Sequence, residues 1–205
     1  MQNKPFILGL TGNIASGKSY VLNYLAGHGA ITIDADLVAQ QCYLPGKPAY
    51  NALIARFGKD IVQPDGQIDR DTLGKIVFAD PAQLQALEAI VHPATTNAIK
   101  TLINEARMVK DTKLIVLEAI KLFDSDMLHQ CDATWVTIAD NETRLMRLIQ
   151  GRGMDPISAA KRLNAQSPQE EKAKLADFVI HTDGSFEETI KQIETGLEKS
   201  GIRLS

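Results

Sequence analysis

The sequence predicts an α/β protein built on a parallel sheet, and three observations carry that prediction. An apolar run, Phe6-Ile7-Leu8-Gly9-Leu10, feeds into Thr11-Gly12-Asn13-Ile14-Ala15-Ser16-Gly17-Lys18-Ser19, where Gly12, Gly17, Lys18 and Ser19 fit the spacing G-x-x-x-x-G-K-[ST]. A helical pattern follows at Val21, Leu22 and Leu25, and a second short apolar run, Ala30-Ile31-Thr32-Ile33-Asp34, closes a βαβ unit. Much later, Leu114-Ile115-Val116-Leu117 is apolar throughout, the mark of a central parallel strand buried on both faces.

The first element explains the spacing chemically. Four residues between the glycines let the backbone wrap a phosphate, with N–H groups turned inward and the following helix N-terminus adding partial positive charge. The expected nucleotide-binding set is Gly12, Asn13, Ile14, Ala15, Ser16, Gly17, Lys18, Ser19 and Tyr20. Lys18 reaches the β and γ phosphates, and the Ser19 hydroxyl is a hard oxygen ligand for Mg²⁺.

Composition sets the bounds. The 205 residues, 44% hydrophobic, suffice for one full core with room for an inserted subdomain. A formal charge of -3 carries no basic excess of the kind a nucleic-acid surface needs. Met1 to Pro5 carries one lysine before an apolar run too short for a leader or a membrane span, so a cytoplasmic protein is expected, with no membrane partner. Cys42 and Cys131 lack metal-ligand spacing and read as free buried thiols.

After the loop, a helix from Ser19 to His28 is closed by Gly27 and Gly29. The second strand ends in Asp34-Ala35-Asp36, and in open parallel sheets ligands bind beyond the carboxyl ends of the strands. The two acids either face the nucleotide or cap the helix starting near Leu37. From Leu37 to Met108 helical segments are punctuated by Pro45-Gly46, Pro64-Asp65-Gly66 and Asp80-Pro81, with no convincing central strand. His92 precedes Pro93, which biases it out of helical geometry and predicts a corner.

The third strand ends in Glu118, which either holds Mg²⁺ through water or caps the next helix. A fourth strand, Ala133 to Ile138, contains Trp135 as a packing residue, and the helix after it presents Arg144 on a solvated face. Arg147 to about residue 168 reads as a hinged lid, because Gly151-Arg152-Gly153 offers a mobile arginine to a transferring phosphoryl group. Ala176 to Ile180 is the fifth strand, and Ser185 with Glu188 forms a capping box for the last helix, which runs to about Lys199.

Taken together, several stretches resemble the dephospho-coenzyme A kinase family. These are Gly9 to Ser19, Ile33-Asp34-Ala35-Asp36, Asp69-Arg70 with Leu73 and Val77-Phe78, Leu87-Glu88-Ala89-Ile90-Val91-His92-Pro93, and Arg162-Leu163-Asn164-Ala165-Gln166. The resemblance covers most of the chain. It implies a three-layer α/β/α P-loop kinase core at 1–36 and 112–205, with a lid at about 147–168 and a helical acceptor-binding insertion at 37–111. Departures are Asn13 and Ala15 where the family commonly has glycine, Tyr20 and Thr182 where threonine and asparagine are usual, and Ile120 to Asp124 in place of a Pro-Leu-Leu-Phe-Glu segment. Arg152 stands one residue beyond the family's lid arginine.

The implied activity is ATP-dependent phosphorylation of the ribose 3′-hydroxyl of dephospho-coenzyme A. In it Asp36, Lys18 and Arg152 are catalytic, Asp34, Asp36, Arg70 and His92 hold the acceptor, and Ser19 and Glu118 serve Mg²⁺. Residue spacing alone reaches a phosphotransferase with this loop. Another small-molecule kinase and a nucleotide-dependent regulatory switch are the alternatives.

Overall fold

The computed structural model describes residues 4–204, and the chain divides into two compact units, 1–33 with 106–205 and 34–105. The first unit is built on a five-stranded sheet in the order β2-β3-β1-β4-β5. Its strands are β1 (Phe6–Gly12), β2 (Ile31–Asp34), β3 (Leu114–Glu118), β4 (Ala133–Ile138) and β5 (Phe178–His181). β1 runs parallel to both neighbours, with Phe6 opposite Leu114 and Leu10 opposite Glu118 on one side, and Leu8 opposite Ala133 and Gly12 opposite Thr137 on the other. That register brings the carboxyl end of β1 between Glu118 and Thr137.

Two aspartates fix where strands begin. Asp132 accepts the Ile7 N–H at 2.8 Å while its own N–H donates to Ile7 O, and Asp177 Oδ2 accepts the Thr134 N–H at 2.7 Å and the Thr134 hydroxyl at 2.9 Å. Each carboxylate satisfies a strand-end donor that would otherwise be unpaired.

Period-two alternation divides the side chains between the sheet's faces. Leu8, Leu10, Leu114, Val116, Trp135 and Ile180 form one core with Val21 and Leu25 of α1 (Lys18–Gly27) and Ile193 and Leu197 of α9 (Phe186–Lys199). On the opposite face the chain comes so close that a Cβ on Gly9 would lie 2.7 Å from Leu122 Cδ2 and 2.8 Å from Cys131 Sγ. Burial there pushes the Cys131 thiol up to about 12. Both cysteines are free and half-buried.

The second unit holds α2 (Ala35–Cys42), α3 (Pro48–Phe57), α4 (Arg70–Ala79) and most of α5 (Pro81–Met108). Leu53, Ile61, Ile68, Leu73 and Val77 make its own core, with Leu84, Leu87, Ile90 and Val91 of α5 packed against it. The expected corner at His92 is absent: α5 continues through Pro93 for 28 residues, and His92 is exposed on it. The proline removes one backbone donor and disfavours helix in the residue before it, but the helix runs unbroken on both sides. Between α6 (Asn141–Met146) and α7 (Pro156–Asn164) lies a π-helical turn, Arg147–Gly151, and α8 (Gln169–Leu175) leads to β5. Among the described residues no helix is long and apolar enough to cross a membrane.

Candidate active site

The loop after β1 owes its shape to close packing. Gly12 has φ 155, and a Cβ there would lie 2.4 Å from Thr137 Oγ1; Gly17 has φ 88, and its Cβ would lie 2.7 Å from Thr182 Oγ1. Ala15, one of the two positions where glycine is usual, takes φ 60, a left-handed conformation that a Cβ disfavours. Gly17 is the N-cap of α1 and offers no side-chain cap, and the helix's first turn has no acidic residue. The positive end of the α1 dipole thus meets no carboxylate from its own first turn, an environment that favours a bound anion.

Lys18 folds over this loop. Its Nζ donates to Gly12 O at 2.9 Å and stands 3.9 Å from Glu118 Oε1, an approach that follows from the β1–β3 register. The ammonium is thereby held at the mouth of the phosphate cradle, with a carboxylate beside it. Ser19 is exposed on the first turn of α1.

A second layer holds the loop from outside, and the sequence pattern did not disclose it. The Ser16 hydroxyl is 2.7 Å from that of Thr137, and Thr182 Oγ1 donates to Ser16 O at 2.9 Å. Arg147 donates to Ala15 O at 3.1 Å, to Thr182 Oγ1 at 3.0 Å and to Thr182 O. Arg144, expected on a solvated face, is only 3% exposed and donates to Ile14 O at 3.0 Å. Desolvation lowers its pKa, against which the charge of Glu170 acts. The Ile14 N–H is engaged by Gln166 Oε1 at 2.8 Å, so it is not among the donors turned towards a phosphate. What sequence offered was the bare presence of two arginines on one helix; that they turn inward is a packing outcome.

The remaining candidates are distributed as follows. Asp34 caps α2, its Oδ1 accepting the Leu37 N–H at 2.9 Å, and Asp36 is exposed in the first turn of that helix. Arg70 Nη1 donates to Gln40 Oε1 at 3.1 Å, which brings it against α2 within the second unit. His92 is carried on α5, exposed. Arg152 is exposed just beyond the π turn.

A parallel sheet whose central strand ends in a glycine-lysine-serine phosphate loop, braced by Arg144 and Arg147, defines a nucleotide-dependent phosphotransferase of the P-loop kinase fold. Comparison with known proteins narrows the class. The sequence profile of the family described as dephospho-CoA kinase matches residues 6–188. A dephospho-CoA kinase of Carboxydothermus hydrogenoformans is 45% identical over 193 residues, spanning 94% of this chain and 93% of its own. A crystal structure from Thermus thermophilus superposes with TM-score 0.81 at 30% identity, over 96% of this chain and 98% of that one. The dephospho-CoA kinase of Campylobacter jejuni does so with TM-score 0.69 at 25% identity, over 95% and 96%. The chain belongs to the dephospho-CoA kinase family, enzymes that phosphorylate dephospho-CoA with ATP.

Proposed function

We propose that this chain transfers the γ-phosphoryl group of ATP to the ribose 3′-hydroxyl of dephospho-coenzyme A, giving coenzyme A and ADP. The observation that carries the reading is Lys18 held over the loop at the start of α1, its Nζ 2.9 Å from Gly12 O and 3.9 Å from Glu118 Oε1, in a chain of this family. Lys18 and the loop amides bind the triphosphate and neutralise charge gathering on the transferring group. Asp36 accepts the acceptor's hydroxyl proton or orients that hydroxyl, its place in the first turn of α2, two residues beyond the end of β2, carrying it further from the sheet than Asp34, which caps that helix. Arg70 and His92 hold the acceptor, and Arg152 closes over the phosphoryl group with the lid. The enzyme acts in the cytoplasm, a placing in keeping with its two free cysteines.

Mg²⁺ fits the residues present. Among the described residues no three His, Cys, Asp or Glu side chains gather into a metal cage, which suits an ion that takes few protein oxygens and completes its shell with phosphate oxygens and water. The Ser19 hydroxyl would hold it directly and Glu118 through water. When bound it neutralises charge between the β and γ phosphates.

The test is product formation with dephospho-coenzyme A, nucleosides, nucleotides and sugar acids as acceptors, with Lys18→Ala as reference. Only dephospho-coenzyme A should be phosphorylated well, and Lys18→Ala should lose about a hundredfold or more in rate. Phosphate release independent of any acceptor would indicate a switch instead. Asp36→Asn should depress kcat strongly with both affinities within about threefold, since it removes a proton acceptor but little volume. A rate loss confined to Asp34→Asn would exchange the roles of the two acids.

A further inference from the structure

The segment Arg162-Leu163-Asn164-Ala165-Gln166 carries part of the family resemblance but has no part in the chemistry above. Its last residue lies where α7 gives way to α8, and it holds the phosphate loop. Gln166 Oε1 accepts the Ile14 N–H at 2.8 Å and also Arg144 Nη2 at 3.2 Å. Arg144 Nε in turn donates to Ile14 O at 3.0 Å. Both backbone polar groups of Ile14 are thus fixed by one linked pair of side chains. Next to them Asn13, 2% exposed, donates from Nδ2 to Ser167 O at 2.8 Å. A glycine at position 13 could not make that bond.

The bracing falls where the loop needs it. Ala15, which follows Ile14, is left-handed with φ 60, so a loop released at Ile14 would have relaxed conformations to compete with the one that wraps a phosphate. A ligand that binds only the competent conformation shows an apparent affinity reduced by that conformation's population. We infer that Gln166 is a positioning residue for the nucleotide: with Arg144 it keeps the first half of the phosphate loop in its phosphate-ready shape before ATP arrives. The inference rests on the proposed nucleotide site and not on the identity of the acceptor.

Gln166→Met keeps the length of the side chain and removes the acceptor. Nucleotide affinity is measured directly, with ADP and a non-hydrolysable ATP analogue in the absence of acceptor, alongside kcat and both KM values. The expected result is a rise of about tenfold in the nucleotide Kd and in KM for ATP, the loss for a competent population of about one tenth. kcat and the acceptor KM should stay within about threefold, because a bound nucleotide selects the same loop. A nucleotide Kd within about twofold of wild type overturns the inference even if Tm falls, since a structural bond would lower Tm alone.

Amide exchange on the unaltered, nucleotide-free protein is a second measurement that needs no variant. The Ile14 amide should be protected, and its rapid exchange would equally overturn the inference. If the unaltered protein binds neither nucleotide, the phosphate-site reading itself falls and takes this one with it; normal binding by both unaltered protein and Gln166→Met rejects Gln166 alone.

Discussion

At the scale of single residues, the phosphate loop contrasts two small side chains in left-handed backbone. Gly17 is confined twice, by φ 88 and by Thr182, whose Oγ1 would lie 2.7 Å from an added Cβ. Ala15 shares the conformation at φ 60 but already carries its Cβ. An L residue there costs about 1–2 kcal/mol, whereas glycine brings back about 0.4–1 kcal/mol of unfolded-chain entropy. Ala15→Gly should therefore be neutral or stabilising by up to about 1 kcal/mol in urea unfolding. Gly17→Ala should lose both stability and nucleotide binding, because Thr182 is tied to Ser16 O and to Arg147 and has little freedom to retreat. If Ala15→Gly proved the more damaging of the two, the loop would not have the backbone described.

At the scale of elements, the segment proposed as a lid is bounded by how its helices start and stop. α7 begins at Asp155, whose side chain accepts the Ser158 N–H, with Pro156 in the first turn. That hydrogen bonding, led by Ser158, holds the Asp155 carboxyl below its usual range. Before it, the π turn separates two arginines of different standing. Arg147 is engaged with Ala15 O and Thr182, while Arg152 is exposed between Gly151 and Gly153. Arg152→Ala should lower kcat about tenfold or more with ATP binding little changed in the absence of acceptor, the pattern of a contact made on closure. Arg147→Ala should instead weaken nucleotide binding and lower Tm, since it removes a brace of the loop. The reverse pattern would transfer the lid role to Arg147.

At the scale of the whole molecule, each unit has its own core, and that of the first converges on the chain's single tryptophan. Trp135 is 1% exposed, its ring 5.4 Å from that of Phe178, and α9 approaches so closely that a Cβ on Gly196 would lie 2.6 Å from Trp135 Cζ2. Gly196→Ala must displace the indole or the helix. Overpacking of this kind costs about 1–3 kcal/mol, partly offset by alanine's better helix propensity. The variant should unfold at lower urea concentration with altered tryptophan emission in the native state. Unchanged emission and stability would mean that α9 does not pack as described.

The sequence by itself determined the elements whose signals are local. The apolar runs of β1 and β3, the glycine-lysine-serine spacing, and the capping box at Ser185 and Glu188, found intact in the structure, each depend on residues adjacent in the chain. Position along the chain likewise placed Asp34 and Asp36 at the end of β2. Only the tertiary structure decided how the loop is braced. Gln166 meets Ile14 from 152 residues away and Arg144 meets it from 130, and no periodicity or spacing registers a pairing of that kind. The same limit explains His92 and Arg144. A rule about the residue before proline describes a local preference, which 28 residues of continuous helix override at His92. A count of charges on a short helix does not tell which face is buried, and at Arg144 the guanidinium turns inward to the Ile14 carbonyl of the phosphate loop.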